Sequence, residues 1–369
     1  MGKKIGIITM HKVLNYGSAL QAYALQHTIE KLGHNAEIID YTYPNAYHKQ
    51  FSPKPSVLRR IISSILEILR GFPRKRRAKV FAKFYNDKLN LSRTYNTKEE
   101  LHNVPPKYDS YLTGSDQVWN PQSIHEDTSY MLSFTDNPNK AAFAASFAKG
   151  EIPEQYKQLY ATELKKYKRI FVREEKGAEL VEELIGKKPE VVLDPTLLLS
   201  NDEWREFAKQ SSITISKPYI LVYVLGYSFN VYPYIYDLIK DIQKRLGMQL
   251  VVVNMSKRYA QKLSNKRTVY NASVYDFVKL FSGASMVITD SFHGTAFSLN
   301  LNIPFYSVVN DIERADSRII DLLTSVSESS RIIRKGTPIT DIEINTDAPN
   351  NRAIDAKREH SINLLSEIL

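Results

Sequence analysis

The sequence predicts an α/β protein built of two doubly wound, Rossmann-like domains that face a cleft. Three observations predict it. The chain opens with the apolar run Lys4-Ile-Gly-Ile-Ile-Thr9, a loop through Gly17, a helical pattern from Ser18 and a second strand over Asn35 to Tyr41. That β-loop-α-β order is the unit of a parallel sheet. A second alternation of the same kind begins at Tyr219-Ile-Leu-Val-Tyr-Val-Leu225, after a polar stretch from Ser200 to Lys217. Finally, 369 residues exceed what a single hydrophobic core usually supports.

The elements follow in order. Ser18 can cap the first helix and Gly33 can end it. Beyond an insert at residues 54–83, strands are expected at Ser110 to Thr113, Lys140 to Ser146, Arg169 to Val172 and Val191 to Pro195. Helices lie between them at Glu154 to Tyr167 and Lys176 to Ile185. The polar stretch places a boundary near residue 210, giving a first domain over 1–210 and a second over 211–350. The second reads as a helix near Tyr234 to Leu246, strands Gln249 to Asn254 and Thr268 to Tyr270, a helix Val274 to Ser282 and a strand Met286 to Thr289. The segment Asp290-Ser-Phe-His-Gly-Thr295 then opens a helix through Leu299. A strand at Ile303 to Val308 and a helix at Ser317 to Leu323 come next. The tail over 351–369 is an amphipathic helix expected to pack back across the first domain.

Hydrophobic content of 43% with 24% charged residues is that of a folded globular chain and excludes a mainly disordered one. No run of eighteen apolar residues predicts a spanning helix, and the apolar stretch near the start is too short for a signal peptide. Zero cysteines exclude disulfides, thiolate metal sites and a cysteine nucleophile, which fits a cytoplasmic protein. The net charge is +10, and the segment from Lys54 to Lys83 holds ten basic residues against the single acid Glu67. Nine of the ten net charges therefore sit in that insert. It is also apolar in a helical rhythm through Val57, Leu58, Ile61, Ile62, Ile65 and Leu66, before Gly71, Pro73 and the cluster Arg74-Lys75-Arg76-Arg77. An apolar face with basic flanks suits a helix lying on an anionic membrane surface. The other reading is a core-packed helix followed by a solvated basic one. Nothing resembles a reading helix or a ribonucleoprotein strand, so no nucleic-acid partner is expected.

In open parallel sheets, ligands bind outside the carboxyl ends of the strands. Four stretches there could carry chemistry. The sharpest is Asp290-Ser291-Phe292-His293-Gly294-Thr295, because a helix start offers N–H groups and partial positive charge to a phosphate or carboxylate. Gly294 would allow close approach, Ser291 and Thr295 add hydroxyls, and His293 could donate a proton near neutral pH. The alternative is an N-capped helix holding a core histidine. Arg173 ends a strand and could fork onto a phosphate or carboxylate, or else pair with Glu174, Glu175 or Glu179. Asp194 could be a base, or a helix cap that orients Arg173. The loop Asn15-Tyr16-Gly17-Ser18 lies where a βα unit binds polar ligands, yet it lacks a dinucleotide fingerprint. Gly114-Ser115-Asp116-Gln117-Val118-Trp119 combines amide and carboxylate groups with an indole, a mixture suited to a sugar, or simply a turn over a buried tryptophan. Metal chemistry is not expected: there is no His-x-x-x-His pair and no Asp-x-Asp, and neither a Walker loop nor a Gly-x-Ser-x-Gly elbow appears.

Taken in chain order, these motifs resemble the polysaccharide pyruvyl transferase family. The resemblance runs through Asn15-Tyr-Gly-Ser-Ala-Leu-Gln-Ala-Tyr-Ala-Leu-Gln26, Gly114-Ser-Asp-Gln-Val-Trp119, Val172-Arg-Glu-Glu-Lys-Gly177, Leu193-Asp-Pro195, Thr289-Asp-Ser-Phe-His-Gly-Thr-Ala-Phe297 and Ser317-Arg-Ile319. It implies a glycosyltransferase-B-like pair of domains that moves pyruvate from phosphoenolpyruvate onto a sugar, with phosphoenolpyruvate as substrate and no cofactor. It also implies His293 and Arg173 at the donor, with Ser291, Gly294 and Thr295 beside them on the donor side formed by the second domain. Many relatives carry Arg where Phe292 stands, so one cation is missing there, and Arg318 is the residue expected to compensate. Asp116 or Asp194 would take the acceptor's proton, while Asn15, Tyr16, Gly17, Gln21 and Trp119 would line the acceptor side in the first domain. An acceptor carried on a polyprenyl diphosphate would place the enzyme at the inner face of the membrane, where the basic insert has a use. The competing expectations are a nucleotide-sugar glycosyltransferase of the same architecture and a non-catalytic glycan- or membrane-binding assembly factor.

Overall fold

The computed structural model describes residues 2–52, 54, 56–69, 73–226, 229–253, 255, 257–310 and 317–369. Arg70 and Gly71 of the insert, and Asn254 at the expected end of a strand, lie outside the described residues. The chain forms two compact units, one of Met1–Leu198 with Glu359–Leu369 and one of Leu199–Arg358.

In the first unit, β1 (Lys4–Ile8), β2 (Asn35–Ile38), β3 (Ser110–Thr113), β4 (Lys140–Ala145), β5 (Arg169–Val172) and β6 (Glu190–Val191) form one sheet in the order β2-β1-β3-β4-β5-β6. Every pairing is parallel. All six strands therefore end on the same edge, which gathers the motif loops there. β1, β3 and β4 are almost wholly buried, as continuous apolar runs in a doubly covered sheet should be. β6 is shorter than the expected Val191 to Pro195, because Asp194 leaves the ladder to cap a 3-10 turn over Pro195–Leu197.

The second unit repeats the plan. β7 (Tyr219–Tyr223), β8 (Gln249–Val253), β9 (Lys266–Val269), β10 (Met286–Thr289), β11 (Phe305–Val309) and β12 (Ile332–Arg334) run parallel in the order β12-β11-β10-β7-β8-β9. β12 has only three residues, and one apolar pair between polar neighbours carries too little pattern to read from sequence. The division between units falls twelve residues before the expected boundary. The polar stretch from Ser200 is in fact a helix, Asn201–Ala208, with a capping box formed by Ser200 and Glu203. Its inner face buries Trp204 and Phe207 in the second unit, where Trp204 lies edge-on to Phe297 at 5.0 Å.

The last helix spans Arg352–Ile368, and its portion from Glu359 groups with the first unit. There Ser361 Oγ accepts a hydrogen bond from the Leu193 backbone N–H at 3.1 Å.

The insert forms two helices, Val57–Leu69 and Pro73–Lys88. The second anchors itself through Phe81, Phe84 and Tyr85, all buried. No residue of the first is buried, so it does not pack into the core. Among the described residues, no helix is long and apolar enough to cross a membrane.

Candidate functional site

The carboxyl edge of the first sheet carries a buried charge cluster. Arg173 follows β5 directly, and its side chain is only 1% exposed. Its Nη1 donates to Asp194 Oδ2 at 2.7 Å. Glu174 Oε2 lies 3.8 Å from Nε, and Asp116 Oδ1 lies 3.9 Å from Nη2. Burial works against the charged guanidinium, but the three carboxylates outweigh it and push its pKa up. A buried cation is tolerable only with such partners.

These carboxylates occupy Arg173, so a donor role for it would compete with the pairings. Asp194 is fully engaged. Its Oδ2 accepts from Arg173 and from Ser115 Oγ at 2.9 Å, while its Oδ1 accepts from Thr196 N at 3.0 Å and Thr196 Oγ1 at 2.7 Å. It acts as the cap and orienter that the sequence allowed, and its filled lone pairs leave no place for a substrate proton. Asp116 differs. It adopts φ +71°, in the left-handed region where aspartate is tolerated at a cost, and its Oδ2 accepts from Ser18 Oγ at 2.5 Å. Among the described residues, Asp116 carries fewer hydrogen bonds than Asp194.

The expected acceptor residues divide. Asn15 caps the first helix (Tyr16–Lys31), accepting from Gly17 N at 2.8 Å, and is half-buried. Tyr16 is buried against Phe81, ring centroids 5.1 Å apart, with the Arg77 guanidinium 5.2 Å from its ring. Gln21 is buried and donates from Nε2 to Thr9 Oγ1 at 2.9 Å and to the Ser18 carbonyl at 3.0 Å. Trp119 is 0% exposed, packs between Phe147 and Tyr167 and donates from Nε1 to the Tyr130 carbonyl at 3.3 Å. A stacking platform needs a bare ring face, and Trp119 has none. Tyr16, Gln21 and Trp119 therefore hold the loops from behind rather than line an acceptor surface.

The same edge holds a pair that sequence reasoning did not single out. His11 Nε2 lies 3.1 Å from Asp40 Oδ1, and Lys12 Nζ and Thr94 Oγ1 donate to Asp40 Oδ2 at 2.5 and 2.6 Å. Burial raises the Asp40 pKa, but these donors outweigh it and hold the carboxyl well below the usual range. A polar residue two or three positions past each of two neighbouring strands was the available signal.

In the second unit, β10 runs into the helix Phe292–Asn300 through Asp290 and the N-cap Ser291, whose Oγ accepts from Gly294 N at 3.4 Å. Asp290 turns its charge away from the helix start: its two oxygens accept from Leu225 N and Gly226 N, both at 2.7 Å. Gly294 has a packing reason. A Cβ there would stand 2.2 Å from Thr289 Oγ1 and 3.1 Å from the Tyr223 ring, so only glycine lets the helix lie this close to β10 and β7. Thr295 is likewise spent internally, with Oγ1 3.1 Å from the Ser291 carbonyl and 2.7 Å from Ser307 Oγ. The expected donor roles of Gly294 and Thr295 are therefore indirect.

Ser291 and His293 remain in the first turn, and His293 is 7% exposed, edge-on to Phe292 at 5.4 Å. Arg318, from the helix Ser317–Ser325, holds its guanidinium 5.9 Å from the Phe292 ring centroid. This is a cation–π distance, and it brings positive charge to the position where Phe292 has none. Arg318 thus lies beside the first turn of this helix, which also carries Ser291 and His293.

Comparison with known proteins fits this architecture. The family model described as polysaccharide pyruvyl transferase matches residues 15–312. No curated protein matches the sequence. Among solved structures, the chain is similar to UDP-GlcNAc 2-epimerase from Methanocaldococcus jannaschii in complex with UDP-GlcNAc and UDP, with TM-score 0.53, 13% identity and 99% of each chain covered. It is also similar to UDP-GlcNAc 2-epimerase from Neisseria meningitidis bound to UDP-GlcNAc, with TM-score 0.51, 11% identity and coverage of 99% of this chain and 98% of that one. At such identity the likeness concerns the fold alone, which is of the glycosyltransferase-B type.

Proposed function

Because the chain belongs to the polysaccharide pyruvyl transferase family, we propose that it transfers pyruvate from phosphoenolpyruvate to a hexose of a surface-glycan precursor carried on a polyprenyl diphosphate. The product would be a cyclic ketal with release of inorganic phosphate. The observation that carries the reading is the start of the helix Phe292–Asn300, where His293, nine-tenths buried, stands in the turn overlooked by Arg318.

The chemistry needs a proton on the methylene carbon of the donor as positive charge develops at the adjacent carbon. His293 supplies it. One sugar hydroxyl then bonds to that carbon, and the second displaces the phosphate, whose growing charge the helix start and Arg318 stabilise. One hydroxyl proton returns to the imidazole that gave up its own, and the other leaves with the phosphate. The donor grip thus rests on Arg318 rather than on Arg173.

Thermal unfolding tests the donor. Phosphoenolpyruvate at about 100 times its Kd should add about 2.7 kcal/mol to the folded state and raise the midpoint, whereas UDP should not. Arg318→Ala should abolish that rise. A rise with UDP alone would instead make the protein a nucleotide-sugar glycosyltransferase.

A further inference from the structure

We propose that the two helices of the insert form a docking surface for an anionic lipid bilayer, a function independent of which donor the protein uses. The first observation is the distribution of side chains around Val57–Leu69. At 3.6 residues per turn, the apolar positions sweep an arc of about 180°, while Arg59, Arg60, Ser63, Ser64 and Glu67 fill the other half. The second is that nothing among the described residues covers the apolar arc. Its members are 38% to 76% exposed, with Ile61 at 53% and Ile65 at 50%. A patch of this kind on a folded protein marks an interaction surface.

Charge decides the occupant. The following helix, Pro73–Lys88, buries Phe81, Phe84 and Tyr85 on one side and exposes Arg74, Lys75, Arg76, Lys79 and Lys83 on the other. A second copy of the chain would bring the same basic flank against this one and be repelled. An anionic bilayer offers the complement of both features, acyl chains for the apolar arc and phosphates for the cations. Thirteen helical residues span about 20 Å, too short for the bilayer's hydrocarbon core of about 30 Å, so the helix lies along the surface.

A groove of about 540 Å³ opens where the two helices meet, lined in part by Ser63, Ser64, Arg74 and Lys75. This groove is on the polar side of the first helix, away from the apolar arc, and joins the helix to the body of the protein. Glu67 shares the wall, and its Oε1 accepts from the Arg74 backbone N–H at 3.1 Å. Leu14 lines it too, and Arg77 Nη2 donates to the Leu14 carbonyl at 2.9 Å while Tyr85 OH donates to the Val13 carbonyl at 3.0 Å. The surface that meets lipid is therefore tied to the loop that leads into Asn15.

Flotation of the full-length protein with vesicles tests this. Binding is expected to phosphatidylcholine vesicles containing about one-third phosphatidylglycerol, to weaken with salt, and to be absent with phosphatidylcholine alone. The pair Ile61→Asp and Ile65→Asp should reduce the partition coefficient by more than about tenfold, and so should Arg74→Gln with Lys75→Gln and Arg76→Gln. These residues are exposed, so unfolding midpoints should stay at the wild-type value. No binding to anionic vesicles at low salt, or unchanged binding by the isoleucine pair, would overturn the proposal. So would lipid-free self-association abolished by that pair, which would give the face to a second copy.

Discussion

Replacing Arg173 with methionine should lower the unfolding free energy by about 3–5 kcal/mol, the usual cost of removing one partner from a buried ion pair. Methionine fills a similar volume, so the loss comes from charge rather than from a cavity. Asp194 would lose the 2.7 Å donor to its Oδ2, and the carboxylates of Glu174 and Asp116 would lose the cation within 4 Å of them. Three carboxylates would then share the carboxyl edge of β3, β5 and β6 without the guanidinium that faces them. The deficit should shrink at acidic pH, where protonation removes the orphaned charges. Lysine should rescue only part of it, since a point charge cannot fork onto Asp194 while facing two further carboxylates. Denaturant unfolding at several pH values reads all three effects. If Arg173 were instead the donor's grip, Arg173→Met would leave stability intact and remove only the protection by phosphoenolpyruvate.

The second large effect concerns turnover. His293→Ala should reduce phosphate release from phosphoenolpyruvate, with a lipid-linked glycan fraction as acceptor, by about 10²–10⁴-fold. Its stability should fall by no more than the cost of one truncated buried side chain, because the helix start is held by other groups: Ser291 caps it, Gly294 lets it approach β10, and Thr295 ties it to Ser307. That separation is what distinguishes a proton donor from a core histidine. A turnover within twofold of wild type would remove His293 from the mechanism.

The contrast between these two residues shows what the sequence could reveal. Both sheets were legible apart from β12, because continuous runs such as Tyr219 to Leu225 and Met286 to Thr289 have only one use in a chain of alternating elements. The helix Asn201–Ala208 was not, since its exposed face is polar and only Trp204 and Phe207 mark the side it buries. Motif positions were also legible, but not which way their side chains turn. Trp119 and Tyr16 carry the same rings whether they stack on a sugar or fill a core, and here Phe147, Tyr167 and Phe81 claim them. The pairing of Arg173 with Asp194, twenty-one residues on, was one of the readings the sequence offered, and the folded strands decide it over the nearer glutamates. For the insert, sequence posed core packing against lipid for the first helix and could not choose, because amphipathicity is common to both. The exposure of Ile61 and Ile65 removes the core-packed alternative.

The central claim, that the donor sits at the start of the helix Phe292–Asn300, is tested most directly by NMR of protein carrying ¹⁵N-labelled histidine. The His293 resonance is identified by its loss in His293→Asn. Titration with phosphoenolpyruvate should shift that resonance and leave buried His11 in place, while UDP should leave both unmoved. A donor that shifts no histidine signal, or one that moves His11 while His293 stays still, would contradict the account.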